Sequence, residues 1–301
     1  MQAWSLERKI QVTQTRIIEW YQHWDGQVYV SFSGGKDSTV LLNLVRRIYP
    51  ETEAVFFDTG LEFPEIRKFV KSIENVTWIR PKLTFPDVIK KWGYPIISKE
   101  VAERIFYAKR GKEWAINALN GKKSDGTISE YRQGNKKFSK LIDSPFNIGH
   151  RCCAAMKKNP SKNFEKKSGK KPYIGTMTEE SGMRKTAWLK TGCNGFEGRP
   201  MSTPMAFWTE QDVLKYLQLT DIPYCDVYGD IIEEKGKLKT TGRDRTGCMF
   251  CMFGVHLEKE PNRFQRMKTT HPKQYEYCMK PVKEGGLGLA TVLDYIGVKY
   301  E

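Results

Sequence analysis

Much of what this 301-residue chain does is narrowed by what it lacks. No apolar run approaches the ~20 residues of a membrane-spanning helix, so no membrane partner is expected. The first residues, Met1 to Lys9, carry none of the apolar stretch of a secretory signal, which points to the cytoplasm. Internal repeats, low-complexity tracts, Arg-Gly repeats and recognisable nucleic-acid-binding modules are all missing. So are GxxxxGK[ST] and GxGxxG, which excludes a Walker A loop and leaves a dinucleotide fingerprint unsupported. Acids are short against bases, 35 Asp or Glu to 50 Lys or Arg, for a formal charge of +15. Residues 99 to 171 alone hold 19 Lys or Arg and 7 Asp or Glu. Such a stretch suits a polyanionic partner through counterion release. It equally suits a solvated basic face, or a field that steers anionic substrates inward. Seven cysteines in a chain of this kind point to metal or redox chemistry rather than structural disulfides.

What is present centres on Ser33-Gly34-Gly35-Lys36-Asp37-Ser38. The apolar run from Val28 to Phe32 predicts a buried strand before it, and Thr39 to Val45 predicts the apolar side of a helix after it. A glycine pair between strand and helix lets the backbone turn tightly and aim several N–H groups at one point. The helix start adds partial positive charge and Lys36 a full one, so the turn is an anion cradle suited to phosphate. An ordinary strand–turn–helix connection using Gly-Gly is the plainer alternative.

Around this turn the pattern alternates. A helix is expected over residues 4 to 24, ended by Trp24-Asp25-Gly26. Strands are expected at 54–57 and 76–79, with helices starting near Pro64 and running from Phe85 to Trp92. One long helix is expected from Lys99 to Asn120, then a polar loop or exposed hairpin from Gly121 to Gly134. The strand pattern returns at Pro172–Gly175, and Thr209 is placed to cap a helix from Glu210 to Leu219. These alternations predict an α/β fold: a doubly wound, mainly parallel sheet with helices on both faces. The expected division is a nucleotide-binding domain over 1–200, with a basic insertion at about 99–150, and a helical, cysteine-bearing region over 201–301.

SGGKDS resembles the PP-loop of the ATP-pyrophosphatase superfamily, whose members hold the β,γ-phosphates of ATP and release pyrophosphate as AMP passes to an acceptor. Phe56 to Glu65, containing Asp58-Thr59-Gly60, resembles the TGxxFPET element of the phosphoadenosine phosphosulfate (PAPS) reductase family. Tyr173 to Arg184 is similar to the family's GxRxxES…R segment, with Thr176 or Met177 standing where its first arginine belongs. Pro204 to Val213 and Ile222-Pro223-Tyr224 are similar to its PLxxWxxxDVWxY…LPY stretch, where Trp208, Val213 and Tyr216 read as core. The resemblance covers about residues 25 to 255. It implies that Ser33, Gly34, Gly35 and Ser38 donate to phosphate and that Lys36 stabilises charge on the leaving pyrophosphate. Asp37 is assigned to Mg²⁺ or to the helix cap. Asp58, with Thr59 and Gly60, is assigned to ribose or a second metal contact, and Arg184 to an anion.

Arg151-Cys152-Cys153 and Cys248-Met249-Phe250-Cys251 form the second constellation. A CxxC turn brings two thiolates to one centre and a distant pair completes four. The pattern is similar to the [4Fe–4S] pattern of assimilatory adenylylsulfate (APS) reductases. Zinc suits four sulfurs equally, a redox dithiol remains open, and Cys193 is a replacement ligand for Cys152 or Cys153. Cys225 and Cys278 read as ordinary cysteines.

The resemblance leaves three functions. The first is ATP pyrophosphatase chemistry in sulfur transfer, as in the sulfur-activating ATPases of DNA phosphorothioation and related tRNA thiolation enzymes. It implies ATP with Mg²⁺, an acceptor that includes DNA or RNA, and a sulfur-donor protein. The second is reduction of APS or PAPS to sulfite. That family places its nucleophile in an ECG(L/I)H motif, and the residues around Cys278 do not match it. The third is a non-catalytic nucleotide-binding module.

Overall fold

The computed structural model describes residues 1–301, the side chains of residues 131–134 excepted. Its strands are β1 (Val28–Ser31), β2 (Ala54–Phe57), β3 (Val76–Ile79), β4 (Ile96–Ile97), β5 (Lys171–Ile174), β6 (Asn194–Gly195), β7 (Met201–Ser202), β8 (Ile231–Glu234), β9 (Lys237–Thr240) and β10 (Met252–Phe253). Its first six α-helices are α1 (Leu6–His23), α2 (Lys36–Arg46), α3 (Pro64–Lys71), α4 (Phe85–Trp92), α5 (Lys99–Ala108) and α6 (Glu113–Leu119). They are followed by α7 (Asn159–Ser168), α8 (Gly182–Thr191), α9 (Glu210–Thr220), α10 (Arg263–Thr270), α11 (Pro272–Met279) and α12 (Leu289–Tyr295).

The chain gathers into two compact units, residues 1–81 with 159–247 and residues 82–158 with 248–301. The boundary expected near residue 200 is therefore corrected. β7 pairs in parallel with β5 at Tyr173↔Ser202, which keeps the chain beyond 200 in the first unit. β10 pairs in parallel with β4 at Met252↔Ile96 and Phe253↔Ile97, which brings the cysteine-bearing tail to the expected insertion.

In the first unit six strands form a sheet in the order β3-β2-β1-β5-β7-β6. All its pairings are parallel except that of β6 with β7. The order runs outward from β1 through β2 and β3 on one side, and through β5 and β7 on the other. The switch point lies between β1 and β5, where open α/β sheets bind ligands beyond the strand ends. Because this sheet is covered, β1 is a continuous buried apolar run rather than an alternating one. Trp208, Val213 and Tyr216 are buried, as their pattern implied. Trp208 Nε1 donates to Thr13 Oγ1 at 2.9 Å and Tyr216 OH to Asn43 Oδ1 at 2.7 Å, so these large rings bury apolar area with their polar ends satisfied. Asp212 closes the capping box on Thr209 and also takes the buried Lys9 ammonium at 2.6 Å, tying α9 to α1.

In the second unit the helix expected from Lys99 to Asn120 is two helices. α5 stops at Lys109 and Gly111, at φ +70°, turns the chain before α6 starts at Glu113. A Cβ on Gly93 would stand 2.2 Å from the backbone of Asn147, so the glycine permits the Tyr94–Ile148 bridge beside it. The loop or hairpin expected from Gly121 to Gly134 reaches residues whose side chains lie outside those described. Before them, Lys122 and Ile128 form an antiparallel bridge. No helix among the described residues is long and apolar enough to cross a membrane.

Candidate functional site

The SGGKDS turn lies at the C-terminal end of β1, beside the switch point. Gly34 takes φ +72°, and a Cβ there would stand 2.7 Å from Val70 Cγ2, so a side chain is excluded both by backbone and by space. Gly35 is the N-cap of α2 and offers no side chain to bond the helix start. Hydroxyls tie the turn down in another way. Ser38 Oγ donates to Gly35 O at 2.8 Å, Thr39 Oγ1 donates to the same oxygen at 3.0 Å, and Ser33 N donates to Ser38 Oγ at 3.2 Å. Gly175 at the end of β5 completes the fit, since a Cβ there would meet Asp37 O at 3.1 Å.

Lys36 is 4% exposed. Its Nζ donates to Asp244 O at 2.8 Å and pairs with Glu210 at 3.1 Å, 5.4 Å from the centre of the Tyr228 ring. Its backbone N–H donates to Tyr228 OH at 3.2 Å, and that hydroxyl shares a 2.7 Å hydrogen bond with Thr246 Oγ1. Asp37 is largely buried and its Oδ1 has no hydrogen-bond partner. Burial raises its pKa, with Lys36, Arg245 and Arg184 pulling the other way and Glu210 adding to the rise. Arg184, half-buried, pairs with Glu180, which Arg245 also approaches at 3.8 Å. The loop is thus ringed by Lys36, Arg184 and Arg245, cationic groups able to meet an anion, set among Asp37, Glu180 and Glu210.

Asp58 ends β2 and is 3% exposed. Its Oδ1 accepts from Gly60 N at 3.1 Å, and its Oδ2 takes Arg67 at 3.0 Å and Arg80 at 3.3 Å. Thr59 donates from both N and Oγ1 to Glu62. Asp58-Thr59-Gly60 is therefore a tightly bonded turn whose carboxylates are already engaged. Met177, one of the two residues standing where the family's arginine belongs, is buried.

The second unit brings Cys152, Cys153, Cys248 and Cys251 together. Cys152 and Cys153 open a helix that widens to a π-helix over Ala154–Lys158, a local irregularity frequent at functional sites. Burial raises the Cys152 pKa strongly, and Cys153, Cys248 and Cys251 raise it further. Cys251 N donates to Cys248 O at 3.2 Å, closing the CxxC turn. Burial also raises Cys251, opposed by the Phe253 N–H bonded to its sulfur and by Arg263 and Lys99. Among the described residues no group of three or more His, Cys, Asp or Glu stands in metal-holding geometry. The chemistry of the donor set nevertheless fits a thiolate-bound centre: neighbouring thiols add to the raised pKa of Cys152 and of Cys251, and a cation reverses that penalty. Cys193 belongs to the first unit, where its sulfur accepts from Trp188 Nε1 at 3.4 Å.

Tyr228, Thr246, Asp244, Glu210 and Arg245 were not foreseen from sequence. Arg243-Asp244-Arg245-Thr246, a dense charged run directly before the CxxC turn, was the available signal.

A family model for the phosphoadenosine phosphosulfate reductase domain matches residues 27–101 and 106–252. The chain belongs to this family. An uncharacterized protein of Methanocaldococcus jannaschii is 23% identical over 266 residues, 86% of this chain and 48% of that protein. The chain thus spans about half the length of that relative. An adenosine 5'-phosphosulfate reductase of Staphylococcus epidermidis is 23% identical over 219 residues, covering 70% of each chain. A phosphoadenosine 5'-phosphosulfate reductase of Xanthomonas oryzae is 23% identical over 230 residues, 75% of this chain and 76% of that one. Among solved structures, the phosphoadenylyl-sulfate reductase of Candida auris in its phosphate complex is 14% identical with a TM-score of 0.41, covering 75% of this chain and 89% of that chain.

Proposed function

We propose that this member of the PAPS reductase family is an ATP pyrophosphatase that adenylates a substrate in sulfur transfer. A substrate oxygen attacks the α-phosphorus of ATP, the bond between that phosphorus and the α,β-bridging oxygen breaks, and pyrophosphate leaves with the electron pair. Backbone N–H groups of the 33–38 turn and the Ser33 and Ser38 hydroxyls hold the departing phosphates. Lys36, a buried ammonium in the first turn of α2, stabilises the charge that builds on them. Arg184 and Arg245 add positive field at the same loop.

Mg²⁺ accompanies ATP in this reading and would neutralise phosphate charge. Asp37 fits it, because its buried Oδ1 has no other partner. Asp58 does not, since both its oxygens are taken, and its role is to fix the turn after β2. A [4Fe–4S] cluster on Cys152, Cys153, Cys248 and Cys251 is part of the proposal, with zinc as the competing metal; when bound, such a cluster supplies sulfur relay or tunes its delivery. A cytoplasmic setting is part of the proposal. The lysine- and arginine-rich stretch over 99–171 supports a nucleic-acid acceptor, DNA or RNA, served by a sulfur-donor protein.

One observation carries ATP chemistry over sulfate reduction. Reduction needs a reactive thiolate. Cys193, Cys225 and Cys278, the cysteines outside the four-thiol group, are all buried, and burial pushes each pKa up, that of Cys225 to about 11. None presents a nucleophile. Sulfate reduction stays as the second reading because the S. epidermidis and X. oryzae relatives carry reductase names. The deciding experiment offers ATP, APS and PAPS to anaerobically purified protein. Pyrophosphate from ATP supports the proposal; sulfite from APS or PAPS without pyrophosphate replaces it with the reductase; neither product leaves a nucleotide-binding module.

A further inference from the structure

The anion cradle is engaged by the protein's own chain. Two of its donating groups are taken within the first unit, and the hydroxyl that takes one of them is itself held. Lys36 N–H donates to Tyr228 OH at 3.2 Å, Lys36 Nζ donates to Asp244 O at 2.8 Å, and Tyr228 OH is held in place by Thr246 Oγ1 at 2.7 Å. Both hydroxyls press against the N-cap of α2. A Cβ on Gly35 would meet Tyr228 OH at 3.2 Å and Thr246 Oγ1 at 3.3 Å. These oxygens lie where a helix start gathers its unpaired N–H groups and binds anions. A neutral hydroxyl and a carbonyl thus occupy donors that a phosphate oxygen would take with a stronger, charge-assisted bond.

We propose that Tyr228, Thr246 and the Asp244 carbonyl form a clasp that competes with phosphate for the 33–38 turn and is displaced when the nucleotide binds. The clasp is built to hold and to release. The Tyr228 ring is 2% exposed, so the hydroxyl is presented by a fixed body, whereas Asp244 and Arg245 lie on an exposed stretch with no regular structure. Burial pushes the Tyr228 pKa up to about 12, so the group on the cradle stays an uncharged hydroxyl across the working pH range. It satisfies the buried Lys36 N–H in the free protein, which otherwise bears the cost of an unmet donor. A site whose competent form is only partly populated binds with an affinity reduced by that fraction. Weakening the clasp therefore tightens binding. A hydroxyl that instead contacts the bound nucleotide gives the opposite sign.

This inference rests on the turn being a phosphate site, and calorimetry separates the two. Titrations use inorganic pyrophosphate and Mg·ATP on the full chain, comparing wild type, Tyr228→Phe and Thr246→Val. Tyr228→Phe keeps the ring and its contact with Lys36, and Thr246→Val keeps the shape, so each removes one oxygen. The expected result is a dissociation constant lowered by about three- to tenfold in each variant, the scale of one net hydrogen bond. The double variant is expected to gain less than the product of the two, because they break one clasp. Equal or weaker binding by both variants, with wild type binding normally, overturns the clasp and leaves the phosphate site standing. Absence of binding in wild type and variants alike overturns the phosphate site itself.

Discussion

The phosphate turn and the four-thiol group are built on opposite electrostatic plans. Around the turn most formal charges face a partner: Lys36 meets Glu210, Arg184 meets Glu180, and Asp58 meets Arg67 and Arg80, while Asp37 Oδ1 has no hydrogen-bond partner. At the thiols like groups are gathered, and the neighbours raise the cost of ionising Cys152 and Cys251 beyond that of burial. The cationic groups of the first site are engaged before any ligand arrives, so an anion must outcompete the protein's own groups. The second, if it holds the proposed centre, gains from a cation that turns clustered thiols into shared ligands. On the proposed reading, one site is gated by the chain itself and the other calls for a metal.

The largest expected effect breaks the frame that the first plan relies on. Lys9→Met leaves the Asp212 carboxylate, which closes the capping box of α9 on Thr209, without the buried cation it pairs with. Urea unfolding is expected to show a loss of about 3–5 kcal/mol; a loss below 1 kcal/mol would mean that Asp212 is satisfied by Thr209 alone. Within the site, Lys36→Ala is expected to cost about 10²-fold or more in pyrophosphate release, the scale of removing one preorganised electrostatic group. Unchanged turnover would remove Lys36 from the transition state.

On the thiol side, Cys251→Ser takes out a sulfur that already accepts from Phe253 N–H. Iron and acid-labile sulfide in anaerobically purified protein are expected to drop about tenfold or more relative to wild type. Stoichiometric zinc with no iron in wild type would keep the four-thiol group and discard the cluster. The smallest effect concerns a thiol outside the group. Burial raises the Cys225 pKa from 9.0 to about 11, so the folded chain holds this proton where the unfolded chain has released it. Its contribution is fully present below pH 9 and is lost as pH climbs through about 11. Wild type is therefore expected to lose more stability than Cys225→Ala across that window, and parallel pH profiles would contradict the assignment.

Legibility followed locality. SGGKDS was readable because strand, turn and helix are contiguous, and the glycine conformations it needs are set by the turn alone. The capping of α9 by Thr209 was readable for the same reason. Asp58 was recognised as a residue at a strand end, but its two arginines lie 9 and 22 residues downstream, too far for spacing to reveal that both oxygens are taken. Tyr228 meets Lys36 across 192 residues, a contact that only the sheet's crossovers create. The two units escaped notice because β4 and β10, which join the middle of the chain to its tail, are each two residues long and leave no periodic trace. Gly111 was visible, yet a glycine within an amphipathic pattern also reads as a tolerated helix interior.

Hydrogen exchange at the amides of residues 33–38 tests the central claim most directly, because it reports on the turn itself rather than on turnover. Adding Mg·ATP is predicted to slow exchange across Ser33 to Ser38 and to speed it at Asp244 to Thr246 as the clasp lets go. Saturating nucleotide that leaves the 33–38 amides unchanged would place its phosphates elsewhere and contradict the account.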